Sequence, residues 1–358
     1  MRKWILGTII ASLTLLISTT ILQNSGNKKT LGKDEVLETQ TNQNHTASLT
    51  RNVFRLLKSR ESKENSVKLR GEERDQINFL FLGVGGEEHS GGKYLTDTII
   101  LLSFVPSIKR AAVISIPRDL LVRAPDQKNF VKINALLVSR LSGDPPYRFP
   151  GPMGIQYVKT KLQEITEVPI DYFLILDLAA VEKIVDTLGG INVRRIGDLE
   201  DKNFPDKNYG YETYKIEEGW RYLDGKEAVK YIRTRHTAGG DFDRMKRQQE
   251  VALAIKKKVQ GLKSLKRIPK LLSLYSTLQS HWASDLSFDE ILDLRTLTED
   301  TGNDSIIFET LTAQNNGLLV SDTVVLGGQN AYVLKPKAGL ENYEEIKIKV
   351  KDTLSKLK

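Results

Sequence analysis

Short apolar runs alternate with stretches of helical spacing along residues 75 to 358. Runs such as Asn78 to Gly83 and Ala111 to Ile116 are bounded by glycine or proline and are too short for helices, which predicts buried strands. Ile155 to Ile165 and Leu178 to Leu188 repeat their apolar residues at helical spacing. This alternation predicts an α/β domain in which helices flank both sides of a central mixed β-sheet.

The remaining elements are shorter or more polar. Asp224 is predicted to cap the helix after it, Gly189-Gly190 to stop a helix, and Ser287 with Glu290 to form a capping box. The pattern predicts further strands at Ile99 to Phe104, Tyr172 to Leu176, Ile191 to Val193 and Tyr332 to Leu334, and helices at Gly225 to Tyr231, Arg244 to Leu262, Ile268 to Leu278, Ser287 to Leu297 and Tyr343 to Leu357.

The N-terminal run Trp4 to Leu22 carries no charged residue. At about 1.5 Å per residue, a helix of this length just spans a bilayer core of about 30 Å. A cleaved signal peptide is the alternative, but no A-x-A-like cleavage site follows the run, which favours a retained anchor. Arg2 and Lys3 place the N-terminus inside. We therefore expect an anchor over residues 1–23, a linker over 24–74, and a domain over 75–358 outside the cytoplasmic membrane, reached by a single pass.

The net charge of +8 and a pI near 9.3 indicate an anionic partner, which charge alone does not identify. Nucleic acid, lipid headgroups and phosphorylated substrates all remain open at this point. The chain has no cysteine, which excludes disulfides, thiolate nucleophiles and cysteine zinc sites. Its four histidines are scattered along the sequence and suggest no histidine metal cluster.

Basic residues are concentrated in the stretch Tyr231 to Gln249, around a Gly-Gly pair. If the chain is extended there, Arg233 and Arg235 point to the same side because strand residues alternate faces. Gly239-Gly240 permits a sharp turn. Guanidinium groups bind phosphate oxygens in a bidentate way, so the stretch predicts a phosphate or pyrophosphate site. The alternative is a solvated basic helix with surface salt bridges.

The helix predicted after the glycine pair has polar residues on one face. Asp241 or Asp243 suits its N-cap. Asp241, Arg244 and Gln248 are three and four residues apart and therefore share a face. The positive end of this helix also favours an anion.

Pro117 ends a predicted strand, because proline cannot donate to a β-ladder. Arg118 and Asp119 follow it at once. This position at a strand end is where functional side chains often lie in α/β sheets.

The order and spacing of nine sequence pieces resemble those of the LytR–CpsA–Psr family. Each piece alone is a weak signal, and the resemblance rests on their succession over about residues 75 to 350, after the anchor. The pieces are NFLFLG from Asn78, Thr96-Asp97-Thr98, Ser115 to Asp119, Lys132-Ile133-Asn134, Asp186 to Gly190, Leu223-Asp224-Gly225, Tyr231 to Arg235 and Asp241 to Gln249 together with the N-terminal anchor.

The resemblance implies a phosphotransferase that moves a glycopolymer from a polyprenyl-pyrophosphate carrier onto peptidoglycan through a phosphodiester. It also implies a magnesium ion and a long apolar pocket for the lipid tail. By this resemblance the catalytic residues are Arg118, Arg233 and Arg235, which together with Arg244 clamp the phosphates, and Asp241, which positions an arginine or helps to activate the sugar hydroxyl. The substrate-binding residues are Lys132, Arg244, Gln248 and Asp119, of which Asp119 orients Arg118. Asp97 binds Mg²⁺.

Two positions depart from the family pattern. Family members usually carry an aspartate at the position of Gly85 and an arginine at that of Leu95, so Gly85 removes one expected metal ligand. Glu87 or Glu88 could replace it. The missing carboxylate favours a second hypothesis, a binder or pyrophosphatase of polyprenyl pyrophosphates without transfer. A nucleic-acid-binding regulator is a third hypothesis, which only the basic charge favours.

Overall fold

The computed structural model describes residues 67–86, 93–125, 129–138, 152–205, 210–261, 278, 280–287, 289–290, 293–294 and 305–358. The predicted anchor, Glu87 and Glu88, and most of the helix predicted over Ile268 to Leu278 lie outside these residues. Among the described residues, no helix is long and apolar enough to cross a membrane.

A six-stranded mixed sheet forms the centre of the domain, as predicted. Its strands are β1 (Ile77–Val84), β2 (Thr96–Val105), β3 (Arg110–Ile116), β6 (Tyr172–Asp177), β11 (Trp282–Ser284) and β12 (Ile306–Thr310). Their order in the sheet is β11-β6-β1-β2-β3-β12. β2 pairs antiparallel with both β1 and β3, β6 runs parallel to β1, and β12 runs parallel to β3.

The two faces of the sheet are used differently. One face carries residues such as Leu82, Leu101 and Ile114, which pack into the main core with α1 (Pro152–Thr166) and α5 (Glu344–Ser355). The opposite face lies towards helices α2 and α4 and leaves a cavity. The bounds of the remaining helices are α2 (Leu178–Thr187), α3 (Gly225–Arg233) and α4 (Gly240–Gly261).

Four two-stranded sheets surround the central one, and the sequence pattern predicts only part of them. Helix α3 packs on two of these small sheets and forms a core with them, which includes Val193, Phe204 and Tyr231. The pairs are β4 (Leu121–Arg123) with β5 (Phe130–Lys132), β7 (Ile191–Arg195) with β10 (Gly219–Leu223), β8 (Leu199–Pro205) with β9 (Tyr211–Ile216), and β13 (Leu319–Leu326) with β14 (Gln329–Pro336).

The predicted helix ends are partly confirmed. Asp224 caps α3, since its Oδ1 accepts the N–H of Glu227 at 2.8 Å. Ser287 and Glu290 form the predicted capping box. Gly189 and Gly190 stop α2 with positive φ angles of 73° and 75°.

The N-cap prediction for α4 is wrong. The helix begins at Gly240, so Asp241 and Asp243 lie inside its first turn. Asp243 reaches back instead, and its Oδ2 accepts the N–H of Gly239 at 2.9 Å. Gly240 itself has a φ of 54°, a conformation that suits glycine and turns the chain into the helix.

Candidate active site

A cavity of about 540 Å³ lies between the sheet and helices α2 and α4. Most of its wall is apolar, and charged side chains gather where β1 ends and α4 begins. The apolar wall includes Phe81, Ile100, Leu102, Leu174, Val181 and Ile255, and the polar end includes Asp97, Arg233, Arg235, Arg244 and Gln248.

A β-bulge places Asp97 at the polar end. Gly83 pairs with Thr98 and Val84 with Thr96, so Asp97 is the extra residue of β2. Bulges bend a strand and redirect its side chains. Here the extra residue brings the Asp97 carboxylate to the arginines of the stretch that follows α3.

Asp97 joins three arginines. Its Oδ1 accepts from Arg118 Nη1, and its Oδ2 accepts from Arg235 Nη2 at 3.1 Å. Arg244 Nη2 donates to the Asp97 carbonyl oxygen at 2.9 Å. Burial raises the pKa of Asp97, but the charges of Arg118, Arg235 and Arg244 outweigh burial and hold the pKa below its usual range. Asp97 is therefore an anion that fixes the guanidinium groups.

Arg118 and Arg244 keep unused donors within this cluster. The buried Nε of each has no hydrogen-bond partner among the described residues. Burial lowers the pKa of Arg244 to about 10, although the carboxylate of Asp241 lies 2.6 Å from its Nη2 and opposes the shift. A buried N–H without a partner is costly. The Nε of Arg244, which lines the cavity, is therefore suited to an anionic ligand, whereas the Nε of Arg118 faces the carboxylates of Asp119 and Asp241.

Arg233 is the last residue of α3, so the assumption of an extended chain from Arg233 to Arg235 is only half right. Thr234, which separates the two arginines, has left the helical conformation, with φ −53° and ψ 131°. Both arginines still line the cavity. Arg233 makes no ion pair with any described residue, and its guanidinium lies 5.2 Å from the ring centre of Phe204. Burial and the nearby Arg235 lower the pKa of Arg233.

Asp119, Lys132 and Asp241 lie around Arg118, and none of the three lines the cavity. Asp119 Oδ2 is 3.6 Å and Asp241 Oδ1 is 3.5 Å from Arg118 Nε. Lys132 Nζ donates to Asp119 Oδ1 at 2.7 Å, so Lys132 neutralises a carboxylate and does not face the cavity. The structure thus brings together all nine predicted site residues, as two groups that meet at Arg118.

Tyr332 belongs to the second group and was not predicted from the sequence. Its strand, β14, is attached to the site because Leu334 N donates to Asp119 O at 2.9 Å. The side chain of Tyr332 is half exposed. Burial and the charges of Asp119 and Asp241 raise its pKa.

Asp201 on β8 is a second residue that sequence reasoning missed. Its buried carboxylate accepts the backbone N–H of Arg235 at 3.1 Å and of His236 at 3.3 Å. The ring Nδ1 of His236 lies 2.9 Å from Asp201 Oδ1. Burial opposes ionisation, but these N–H groups hold the pKa of Asp201 below its usual range. Asp201 therefore fixes the segment that presents Arg235.

Two further arginines, Arg247 in the basic stretch and Arg221 upstream of it, lie away from the cavity. Arg247 is almost completely buried, and its Nε donates to the Tyr231 carbonyl oxygen at 3.1 Å. Arg221 on β10 pairs with Glu217 at 2.9 Å. Neither lines the cavity.

The described residues do not fit a preformed magnesium site. Both oxygens of Asp97 accept from guanidinium groups, and Gly85 has no side chain. Among the described residues, no three histidine, aspartate or glutamate side chains form a group that could hold a metal ion. Hard cations such as Mg²⁺ need several oxygen ligands.

The fold and site define an α/β domain that combines a guanidinium-rich anion site with an apolar cavity. The LytR_cpsA_psr family model matches residues 37–344, and the chain belongs to this family. The resemblance found in the sequence is thereby confirmed.

Several relatives are named for one reaction. The polyisoprenyl-teichoic acid–peptidoglycan teichoic acid transferase TagU of Bacillus licheniformis is 27% identical over 250 residues, which cover 70% of this chain and 72% of the relative. The match to the crystal structure of B. subtilis TagV covers 78% of this chain and 97% of the TagV chain, with 22% identity and a TM-score of 0.57. TagT bound to LI-WTA covers 79% of this chain and 92% of its own, with 23% identity and a TM-score of 0.56. These structures share the fold.

Proposed function

We propose that this protein transfers a glycopolymer from a polyprenyl-pyrophosphate carrier to peptidoglycan. The observation that carries this proposal is the joining of an apolar cavity to a guanidinium cluster at one end. A carrier lipid has the same two parts, an apolar chain and a pyrophosphate. The relative TagU is a polyisoprenyl-teichoic acid–peptidoglycan teichoic acid transferase, which supports the same class of reaction.

The pyrophosphate is placed between Arg233, Arg235 and Arg244, which line the cavity. Arg233 makes no ion pair with a described residue, although the charge of Asp97 favours its protonated form, and the buried Nε of Arg244 has no hydrogen-bond partner among the described residues. Preorganised donors of this kind stabilise the charge that develops on transferring and leaving phosphates. Gln248, on the cavity wall, is placed to hold a further phosphate oxygen.

The acceptor approaches from the side of Asp119, Asp241 and Tyr332. An acceptor hydroxyl oxygen attacks the phosphorus atom bound to the glycopolymer, and a new P–O bond forms. The bond from this phosphorus to the bridging oxygen breaks, and the polyprenyl phosphate leaves with the electron pair. We assign the role of accepting the hydroxyl proton to Asp241, whose carboxylate pairs with Arg118 and Arg244.

The experiment combines the purified full-length protein with radiolabelled lipid-linked glycan and peptidoglycan. Label on peptidoglycan is the expected result. Release of label without attachment would identify a pyrophosphatase. If the label is neither attached nor released, the protein is a binding protein or a regulator. Arg221→Ala is a matched control, because this arginine pairs with Glu217 and does not line the cavity.

Magnesium dependence is proposed to be weak in this chain. A titration of Mg²⁺ against transfer, with calorimetry of Mg²⁺ binding, should give a stronger response in Gly85→Asp than in the parent. The backbone conformation at this position suits an aspartate, since Gly85 does not have a positive φ. An equal response in both proteins would mean that another residue completes the site, or that the reaction uses no metal.

A further inference from the structure

An exposed aromatic and basic face lies on the two-stranded β7–β10 sheet. Trp220 and Tyr222 are 61% and 62% exposed, although large aromatic side chains are usually buried. They are two residues apart on β10 and therefore share one face. Arg194 of β7 pairs with Trp220 of β10 and lies on the same face, where it is exposed. The opposite face carries Val193, which is packed into the core.

Two lysines of α4 extend this face. Lys257 Nζ lies 5.3 Å from the ring centre of Trp220, a cation–π contact. Lys258 Nζ donates to the Gly189 carbonyl oxygen at 3.2 Å. Tyr222 packs directly against Gly190, where an added Cβ would lie 2.2 Å from the ring. We call Arg194, Trp220, Tyr222, Lys257 and Lys258 the aromatic–basic face.

This face borders the apolar end of the cavity. Along α4, the 13 residues from Arg244 to Lys257 correspond to about 20 Å. Ile255 and Val259, on the same part of the helix as Lys257, line the cavity wall. Leu188, directly before Gly189, lines it as well. The guanidinium cluster therefore lies at one end of α4 and the aromatic–basic face at the other.

We propose that the aromatic–basic face docks on the surface of a membrane that contains anionic lipid. Tryptophan and tyrosine are favoured at the level of lipid headgroups, where the ring is half buried and its polar atom is hydrated. Lysine and arginine near such a surface are attracted to anionic headgroups. The positive charge of this face favours an anionic membrane as its partner. Docking would also turn the apolar end of the cavity towards the bilayer that holds the carrier tail, a consequence that rests on the proposed function.

The test is quenching of Trp220 fluorescence by brominated lipid in vesicles that hold the full-length protein. The chain has three tryptophans, so Trp4→Phe removes the one in the predicted anchor. The further change Trp220→Phe then isolates the Trp220 signal by difference. We expect quenching in vesicles of phosphatidylcholine with phosphatidylglycerol, and several-fold less in phosphatidylcholine alone or at high salt.

Charge reversal provides the matched comparison. Arg194→Glu with Lys257→Glu should reduce the quenching of Trp220 several-fold, whereas Arg221→Glu should not, because Arg221 lies on the other face of β10 and pairs with Glu217. Equal quenching in neutral and anionic vesicles, or none, would overturn the proposal. A change in Trp220 fluorescence with soluble peptidoglycan fragments, and not with lipid, would identify a glycan-binding face instead.

Transfer measured in detergent micelles separates this proposal from the proposed function. The charge-reversal variant should transfer glycan in micelles at the parent rate, since its residues lie outside the guanidinium cluster. Quenching without any transfer by the parent would leave docking standing and reject the function. Transfer by the parent without quenching would reject docking and leave the proposed function standing.

Discussion

Arg244 and Arg247 lie one turn apart on α4, and both are almost completely buried. Their hydrogen bonds distinguish them. Arg247 donates to backbone carbonyl oxygens of the segment around Tyr231, which ties α4 to α3. Arg244 contacts Asp97 and Asp241 and keeps its Nε without a partner among the described residues. The first arginine supports the fold, and the second is suited to a ligand.

Arg233→Ala and Arg235→Ala should melt near the parent temperature and lose transfer. Arg233 has no ion pair among the described residues, and Asp97 keeps Arg118 when Arg235 is removed. A charge-assisted hydrogen bond contributes about 1.5–3 kcal/mol, so a loss of about 10- to 150-fold per arginine is expected. Lysine should restore part of the rate, because it keeps the charge but not the bidentate fork.

Arg247→Ala is the contrasting variant, and a clear drop in its melting temperature is expected. Thermal unfolding and initial rates of transfer on the same preparations check both expectations. An Arg233→Ala or Arg235→Ala protein that unfolds early, or that transfers at the parent rate, would return this pair to a structural role.

Lys256 gives a pH dependence of known sign. It lies on the cavity wall, and burial lowers its pKa to about 8. Between pH 8 and the usual lysine pKa of about 10.4, the unfolded chain binds more protons than the folded chain, so stability rises with pH. The parent should therefore gain stability relative to Lys256→Met across this window, whereas below pH 8 the difference should stay constant.

Urea unfolding from pH 7 to 10 measures this difference. Lys257→Met is the control, because Lys257 is the adjacent lysine of the same helix and its side chain is exposed. A stability difference between the parent and Lys256→Met that does not vary with pH would show that Lys256 titrates normally.

At the scale of elements, the β8–β9 hairpin positions part of the site. Asp201 on β8 holds the backbone of Arg235 and His236, which follow α3. The Asp201 carboxylate supplies the hydrogen-bond acceptor that the backbone N–H groups of Arg235 and His236 would otherwise lack. The position of these two residues therefore depends on β8 as well as on their own segment.

Asp201→Asn should lower transfer by displacing Arg235. If Asp201 acts through Arg235, the loss in the double variant Asp201→Asn/Arg235→Ala should be clearly smaller than the product of the two single losses. Asp198→Asn is a matched control, since Asp198 accepts the N–H of Glu218 at a separate turn. Multiplicative losses in the double variant would contradict a positioning role.

The sequence predicts elements well where burial is continuous. β1, β2, β3 and β6 have long apolar runs, and their predicted positions agree with the structure. β8 does not stand out, because its alternating buried and exposed residues are mostly polar.

The candidate site was predicted to a similar degree. The arginines share one stretch with regular spacing, so they were found. Asp201 and Tyr332 were not, because their contacts join segments that are far apart in sequence. The cavity was expected only from the family resemblance. Whether an apolar sheet face packs or lines a cavity depends on the spacing of the helices above it, which no local pattern encodes.

For the whole molecule, the parts of the proposed function lie in a consistent order. The guanidinium cluster is at the start of α4, the apolar cavity follows the helix, and the aromatic–basic face lies at its far end. A carrier lipid whose pyrophosphate reached the arginines would have its chain directed towards that face. The proposed transfer to peptidoglycan requires the domain to be on the same side of the membrane as peptidoglycan.

We therefore predict that the domain lies outside the cytoplasmic membrane and is held by the N-terminal run Trp4 to Leu22. Arg2 and Lys3 favour an inside position for the N-terminus, and the uncharged run is long enough to cross once. In spheroplasts, a protease that cannot cross the membrane should digest the domain, while a cytoplasmic marker protein stays intact. Full protection of the domain would reverse the topology, and release of an intact domain into the medium would show that the run is cleaved as a signal peptide.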